Sequence, residues 1–309
     1  MEKQHSSISS FKKFGRFLGS IFLLLAVIGG GLHVFFERAI IFSSEISGAS
    51  KVNRILNESH SDEIPIFGSS RADGSYVPSI LGEEFFNYGI DGTQAKIWLF
   101  FLEKELQKDK SSPVVINFDL EGFLYSKGDV GNYLPNYAET KHLLGEDKRD
   151  FFHIPFIKYF GHYESYLKDY LSERVSLTRV TDHGGSFDKI SLTPAKFDEL
   201  VQKRLKTKIG FSTHDDLMNK LDSLTTSTDR AIVFVVAPYH ESYLTAFDGL
   251  ESADHFLQGL NQQENLTVLD YRSLVQEDSL FLNTTHLNYS GARIFSQALK
   301  ADLDQIKQQ

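Results

Sequence analysis

No cysteine occurs in the 309 residues. Disulfide frameworks, thiol nucleophiles and cysteine-ligated metals are therefore excluded. Basic residues are in the minority, with 32 Lys and Arg against 41 Asp and Glu and a net charge of −9. A nucleic-acid partner, which needs a basic face, is not expected. His153, His162 and His183 share no ligand spacing such as His-Glu-x-x-His, so no metal site and no cofactor is expected. No glycine-rich phosphate loop follows a strand-like run, which counts against a nucleotide-binding flavodoxin-like domain.

Charge is missing altogether from residues 17–36, where the run Ile21 to Ile28 is strongly apolar. About 20 such residues span a bilayer as one helix. Lys3, Lys12, Lys13 and Arg16 precede it against the single acid Glu2. This flank should stay cytoplasmic and send the rest of the chain across the membrane. A cleavable signal peptide is the rival reading, but the run is long for one and lacks a clean small-x-small site. The expected organisation is a cytoplasmic tail (1–16), a transmembrane anchor (17–36), a stalk (37–62) and a folded extracytoplasmic domain (63–309), periplasmic or at the cell surface.

Within that domain, the short apolar run at 64–67 ends abruptly in Gly68-Ser69-Ser70-Arg71. A strand, a glycine turn and a serine at the mouth of a helix form an arrangement that presents a nucleophile, with free backbone N–H groups close by. The bland alternative is a capping box, because Ser70-x-x-Asp73 fits one. Strand-like runs at 85–89, 113–119, 230–238 and 265–270 alternate with helical patterns at 95–106, 214–223 and 290–306. That alternation indicates an α/β fold with a mostly parallel sheet. Ligands should then bind beyond the carboxyl ends of the strands. Tyr239 and His240, just after the clearest strand, are candidate substrate contacts on that basis. Residues 128–212 read as an insertion of helices and loops. Its aromatic-rich part, 150–167, could line a lipid- or sugar-binding groove, but the commoner role of such a run is packing or membrane-facing surface.

Three blocks in order, Gly68-Ser69-Ser70, Asn87-x-Gly89-x-x-Gly92 and Asn283-Thr284-Thr285-His286, resemble those of the SGNH (GDSL-like) hydrolase superfamily. The resemblance covers roughly 63–306, although only the block residues carry it. It implies a three-layer α/β/α sandwich with a flavodoxin-like sheet. It also implies that Ser70 is the nucleophile, His286 the base, and Ser70, Gly92 and Asn117 the oxyanion donors. Two departures stand out. The third block reads Asn117-Phe118-Asp119-Leu120-Glu121-Gly122, where the family has Gly-x-Asn-Asp. Asn283 stands where the family has the triad aspartate.

An asparagine can orient an imidazole but cannot balance its charge. Three arrangements stay open: a Ser70–His286 dyad oriented by Asn283, another acid such as Asp278 or Asp270 reaching His286, or a fold kept for binding after hydrolysis was lost. Arg71 would either attract an anionic substrate or pair with Asp73. The anchor, the Ser-Ser-Arg block and the late histidine also resemble anchored SGNH-like proteins that act with membrane-bound O-acyltransferases on cell-surface polymers. The expected activity is a serine esterase or O-acyltransferase working on acyl esters of surface glycan or lipid. The alternative is a silent glycan-binding protein or partner of such an acyltransferase.

Overall fold

The structure, a computed structural model, describes residues 5–123, 159 and 162–306. Helix α1 (His5–Phe36) carries the uncharged run and continues into a π-helical turn at Glu37–Ile41. From Phe11 to Ile41 it is long and apolar enough to cross a membrane; its most apolar 18-residue window has a mean hydropathy of 2.1 and almost none of that window is buried against the rest of the chain. Next come α2 (Gly48–Asn57), β1 (Ile64–Phe67), α3 (Ser70–Ser75), α4 (Pro78–Leu81), β2 (Phe85–Asn87), α5 (Ala95–Leu106) and β3 (Val114–Asn117). After residues 124–158, where part of the expected insertion and its aromatic run lies outside the described residues, the chain resumes with α6 (Tyr163–Val175), β4 (Arg179–Asp182) and β5 (Gly185–Asp188). Then follow α7 (Pro194–Leu205), β6 (Ile209–Gly210), α8 (Asp215–Thr226), β7 (Ile232–Val236), α9 (Glu241–Ala246) and β8 (Phe247–Asp248). The chain closes with α10 (Leu250–Leu260), β9 (Leu266–Asp270) and α11 (Tyr289–Ile306).

Five strands form one parallel sheet in the order β2-β1-β3-β7-β9. Counting sheet strands along the chain, this is the doubly wound order 2-1-3-4-5, whose crevice opens where the winding reverses, between β1 and β3. Helices cover both faces, and the strand residues alternate between two cores. Ile232, Phe234 and Val236 of β7 join Trp98, Phe101, Leu221 and Leu257 on one side. Val233 and Val235 join Ala72, Leu81, Phe295 and Leu299 on the other. A strand covered on both faces needs an unbroken apolar run, which is why Ile232-Val-Phe-Val-Val236 was legible.

Two segments differ from their sequence reading. The stretch around Thr181 to Phe187, read as a loop, is a hairpin in which β4 and β5 pair antiparallel. His183 and Gly184 turn it with φ of 39° and 86°, and positive φ at both central residues is what a tight two-residue hairpin needs. The second segment is α2, within the expected stalk, which is packed into the domain. Val52 and Ile55 are fully buried. Lys51 Nζ donates to Asp73 Oδ1 at 2.8 Å and also to the Gly89 carbonyl. Arg54 bonds Glu63 at 2.5 Å and lies over the Phe86 ring.

A chain begun at Ser61 should therefore be less stable than one begun at Ser44. Losing Val52 and Ile55 alone removes roughly 3–6 kcal/mol of apolar burial, a fall in Tm on the order of 10 °C for a domain of this size. Thermal unfolding of the two chains measures it, and equal Tm values would mean that α2 contributes nothing.

Candidate active site

β1 runs into α3 through Gly68, whose φ is 153°. A Cβ there would come within 2.7 Å of the Ala72 Cβ and 2.9 Å of the Asn117 Cβ, so only glycine closes this turn. Ser69, not Ser70, caps α3: its side chain accepts from the Arg71 N–H at 3.2 Å. The capping-box alternative is thus resolved, and the Ser70 hydroxyl is left for another partner. That partner is His286, whose Nε2 lies 2.8 Å from Ser70 Oγ across 216 positions of sequence.

His286 sits in a tight loop between β9 and α11. The Leu282 N–H donates to the His286 carbonyl at 2.8 Å and the Asn288 N–H to the Leu280 carbonyl at 2.9 Å. Asn283 fills the centre of this loop. Its Oδ1 accepts from the backbone N–H groups of Thr285 (2.9 Å) and His286 (3.0 Å) and from Thr285 Oγ1 (2.9 Å). Two backbone donors on one atom fix that atom as the oxygen. His286 Nδ1, 3.1 Å from the same Oδ1 and 2.9 Å from Thr285 Oγ1, must then carry a proton. The Nε2 lone pair is left facing Ser70, which is the tautomer a general base requires.

Among the described residues no carboxylate bonds His286. Asp278 is on His240 Nε2 at 2.9 Å and Asp270 is on Arg272 at 2.8 Å, so neither of the acids close in sequence serves it. Burial, and next the Arg71 guanidinium, push the His286 pKa down to about 4, while Asp91 and Glu121 oppose the shift. Removing an imidazolium from water is costly, and a neighbouring cation adds to the cost.

The second block is built against α3. Asn87 Nδ2 donates to the carbonyls of Ala72 (2.8 Å) and Tyr76 (3.2 Å), and its Oδ1 accepts from the Gly89 N–H at 2.9 Å. A Cβ on Gly89 would lie 2.3 Å from the Asp73 nitrogen, so this loop approaches the helix as only glycine can. Gly92 then lines a cavity of about 240 Å³ together with Ser70 and His286. Gln94, Trp98, Asp119 and Glu121 also line it.

The other sequence candidates fall elsewhere. Asn117 is buried within β3, where its Oδ1 accepts from Tyr76 OH at 2.9 Å and its Nδ2 donates to Asp119 Oδ1 at 2.8 Å. It is absent from the cavity lining. Arg71 reaches the wall of the cavity but is 3% exposed. It donates to the carbonyls of Thr285 (2.9 Å), Ala237 (2.8 Å) and Pro238 (2.9 Å) and to Asp119 Oδ1 (3.4 Å). Its partner is therefore Asp119, whereas Asp73 takes Lys51. Burial pushes the Asp73 carboxyl up to about 7 against the pull of Lys51.

Tyr239 is fully buried, with Arg71 stacked 3.3 Å from its ring centre. Its hydroxyl accepts from the Leu120 N–H at 2.9 Å and donates to Glu121 Oε2 at 3.3 Å. His240 caps α9 through Nδ1, which accepts from the Ser242 N–H at 3.2 Å, and it packs edge-on to Phe197 and Phe281. Neither Tyr239 nor His240 lines the cavity. Thr285, Trp98 and Glu121 went unnoticed in the sequence. Glu121 had a signal, since it lies just past the carboxyl end of β3, where ligands gather in such sheets.

No family model and no curated protein matches this chain. Among solved structures it is similar to one described as "a putative platelet activating factor from Streptococcus pneumonia", at 11% identity and a TM-score of 0.41, over 86% of this chain and 95% of that one. At that identity and score the likeness says nothing about chemistry, which rests on the geometry of Ser70, His286 and Asn283.

Proposed function

We propose that this protein is a membrane-anchored serine esterase or O-acyltransferase of SGNH-like type, acting on acyl esters of cell-surface glycan or lipid. The observation that carries the reading is the 2.8 Å contact of Ser70 Oγ with a His286 whose far nitrogen is held by Asn283 and Thr285. In the reaction, His286 Nε2 takes the Ser70 proton as Oγ bonds to the acyl carbonyl carbon. The carbonyl oxygen becomes an oxyanion facing the backbone N–H groups of Ser70 and Gly92. The carbonyl re-forms, the C–O bond to the leaving alcohol breaks, and His286 returns the proton to that alcohol. Acyl-Ser70 is then attacked by water or a sugar hydroxyl, again deprotonated by His286; the bond from Ser70 Oγ to the acyl carbon breaks and His286 returns the proton to Oγ. With α1 in the bilayer and its basic flank in the cytoplasm, the site faces the extracytoplasmic side. A membrane-bound O-acyltransferase there would be a natural acyl donor.

A second reading, a silent SGNH-fold partner that binds glycan or acyltransferase without turnover, is favoured by Asn283 in the place of an acid. A fluorophosphonate separates the two, because it needs an activated serine. The full chain in detergent should be labelled at Ser70, with labelling lost in Ser70→Ala and His286→Ala. A folded wild-type chain that takes no probe would sink the enzyme reading.

A further inference from the structure

Helix α6 carries an apolar stripe that the described residues leave uncovered. Leu167, Leu171 and Val175, at helical spacing i, i+4 and i+8, are 41%, 48% and 72% exposed, and Leu177 just beyond the helix is 91% exposed. Residues at this spacing share one face. Together with Glu164, Lys168 and Ser172 they edge a shallow groove. A soluble helix turns such a face toward the core. Here the inward face is instead aromatic: Tyr166 is buried with Tyr159, Ile41 and Ala49.

The position of α6 identifies what covers the outward face. Tyr163 packs on Phe36, the last residue of α1, with ring centres 5.0 Å apart. Tyr159, which contacts both Tyr163 and Tyr166, stacks on His33 one turn earlier at 5.6 Å. At the other end of α6, Glu173 Oε1 accepts from the Glu45 N–H at 3.1 Å and Arg174 donates to the Ser43 carbonyl at 3.4 Å. Both ends of the helix are thus held against residues 33–45, the stretch where an α1 that spans a bilayer leaves it. Aromatic rings gather at that level in membrane proteins. Lys168, on the rim of the groove, can extend its charged end to the headgroups while its stem lies along apolar surface.

We propose that α6 is an interfacial helix whose Leu167-Leu171-Val175 stripe, extended by Leu177, rests in the outer headgroup region of the bilayer that α1 crosses. This inference depends on α1 being a retained membrane span. The chain would then have two membrane contacts, one through the bilayer and one upon it, and the domain could not swing freely about its anchor.

The absence of native cysteine makes the test direct. Single cysteines at Leu24→Cys in α1, Leu171→Cys in α6 and Ser223→Cys on the exposed side of α8 are labelled with an environment-sensitive dye in the full chain. The chains are reconstituted in phosphatidylcholine vesicles containing lipids brominated either near the headgroup or near the chain end. The Leu171→Cys label should be quenched by the shallow bromines more than the deep ones, since interfacial helices sit about 5–10 Å into the headgroup boundary. The Leu24→Cys label should be quenched by the deep bromines and the Ser223→Cys label by neither. A quenched Leu24→Cys label beside an unquenched Leu171→Cys label overturns the interfacial helix while keeping the anchor, and leaves the stripe to a protein partner. If the Leu24→Cys label is unquenched as well, the anchor reading falls and this inference falls with it.

Discussion

Asn283→Asp should speed acyl transfer and move the acid limb of its pH profile upward. Every atom around Asn283 Oδ1 is a donor: the N–H groups of Thr285 and His286, Thr285 Oγ1 and His286 Nδ1. A carboxylate would keep all four hydrogen bonds and add the negative charge that an imidazolium needs. In the serine-protease triad, going from Asp to Asn costs about 10⁴ in kcat. That sets the ceiling for the reverse change here, and a gain of roughly tenfold or more is expected from a site otherwise built to the same plan.

The pH dependence has a definite sign. With His286 as the proposed base, kcat/KM should fall when it is protonated, and its pKa of about 4 puts the expected acid limb near pH 4. An aspartate at position 283 favours the imidazolium and carries the limb toward or above the ordinary histidine value of about 6.5. Initial rates on a p-nitrophenyl ester, followed from the acid limb to mildly alkaline pH, measure both effects. An unchanged rate and an unchanged limb would show that Asn283 only shapes the loop and that His286 is not the base.

The centre of the sheet was legible because β3 and β7 are buried on both faces and carry unbroken β-branched or aromatic runs, Val114 to Ile116 and Ile232 to Val236. The turn that presents Ser70 was legible because a strand, an obligate glycine and a serine are consecutive in sequence. The His286 loop was legible as a block, but what Asn283 does there depends on a loop closed by the hydrogen bonds of Leu282 and Asn288, which no local pattern announces. Arg71 misled for a related reason. An arginine beside a serine suggests a substrate anion, whereas its actual partners are carbonyls 166, 167 and 214 positions away and an aspartate 48 away. Lys51 was the least legible of all. A lysine in a polar segment reads as solvated, and only the tertiary fold brings it to Asp73 and Gly89.

Arg71→Leu should destabilise the domain by roughly 2–4 kcal/mol, mostly from buried carbonyls that lose their donor, with less from Asp119, which is 26% exposed. The leucine would leave the Thr285, Ala237 and Pro238 carbonyls without their donor and Asp119 without its cation, and each such orphan is costly when buried. Lysine cannot substitute well, because one ammonium does not reproduce a planar fork that serves the His286 loop, the end of β7 and Asp119 together. Arg71→Lys should therefore fall between the two, which denaturant unfolding of chains begun at Ser44 would resolve. The same substitutions report on chemistry through whatever folded fraction remains. Arg71 is one of the two causes that lower the His286 pKa, so its loss should raise the acid limb of kcat/KM. A reading of Arg71 as a substrate-anion site predicts something else: wild-type stability, an unmoved limb, and a raised KM confined to anionic esters. The first pattern makes Arg71 the residue that holds the histidine loop over the nucleophile; the second would return it to the substrate.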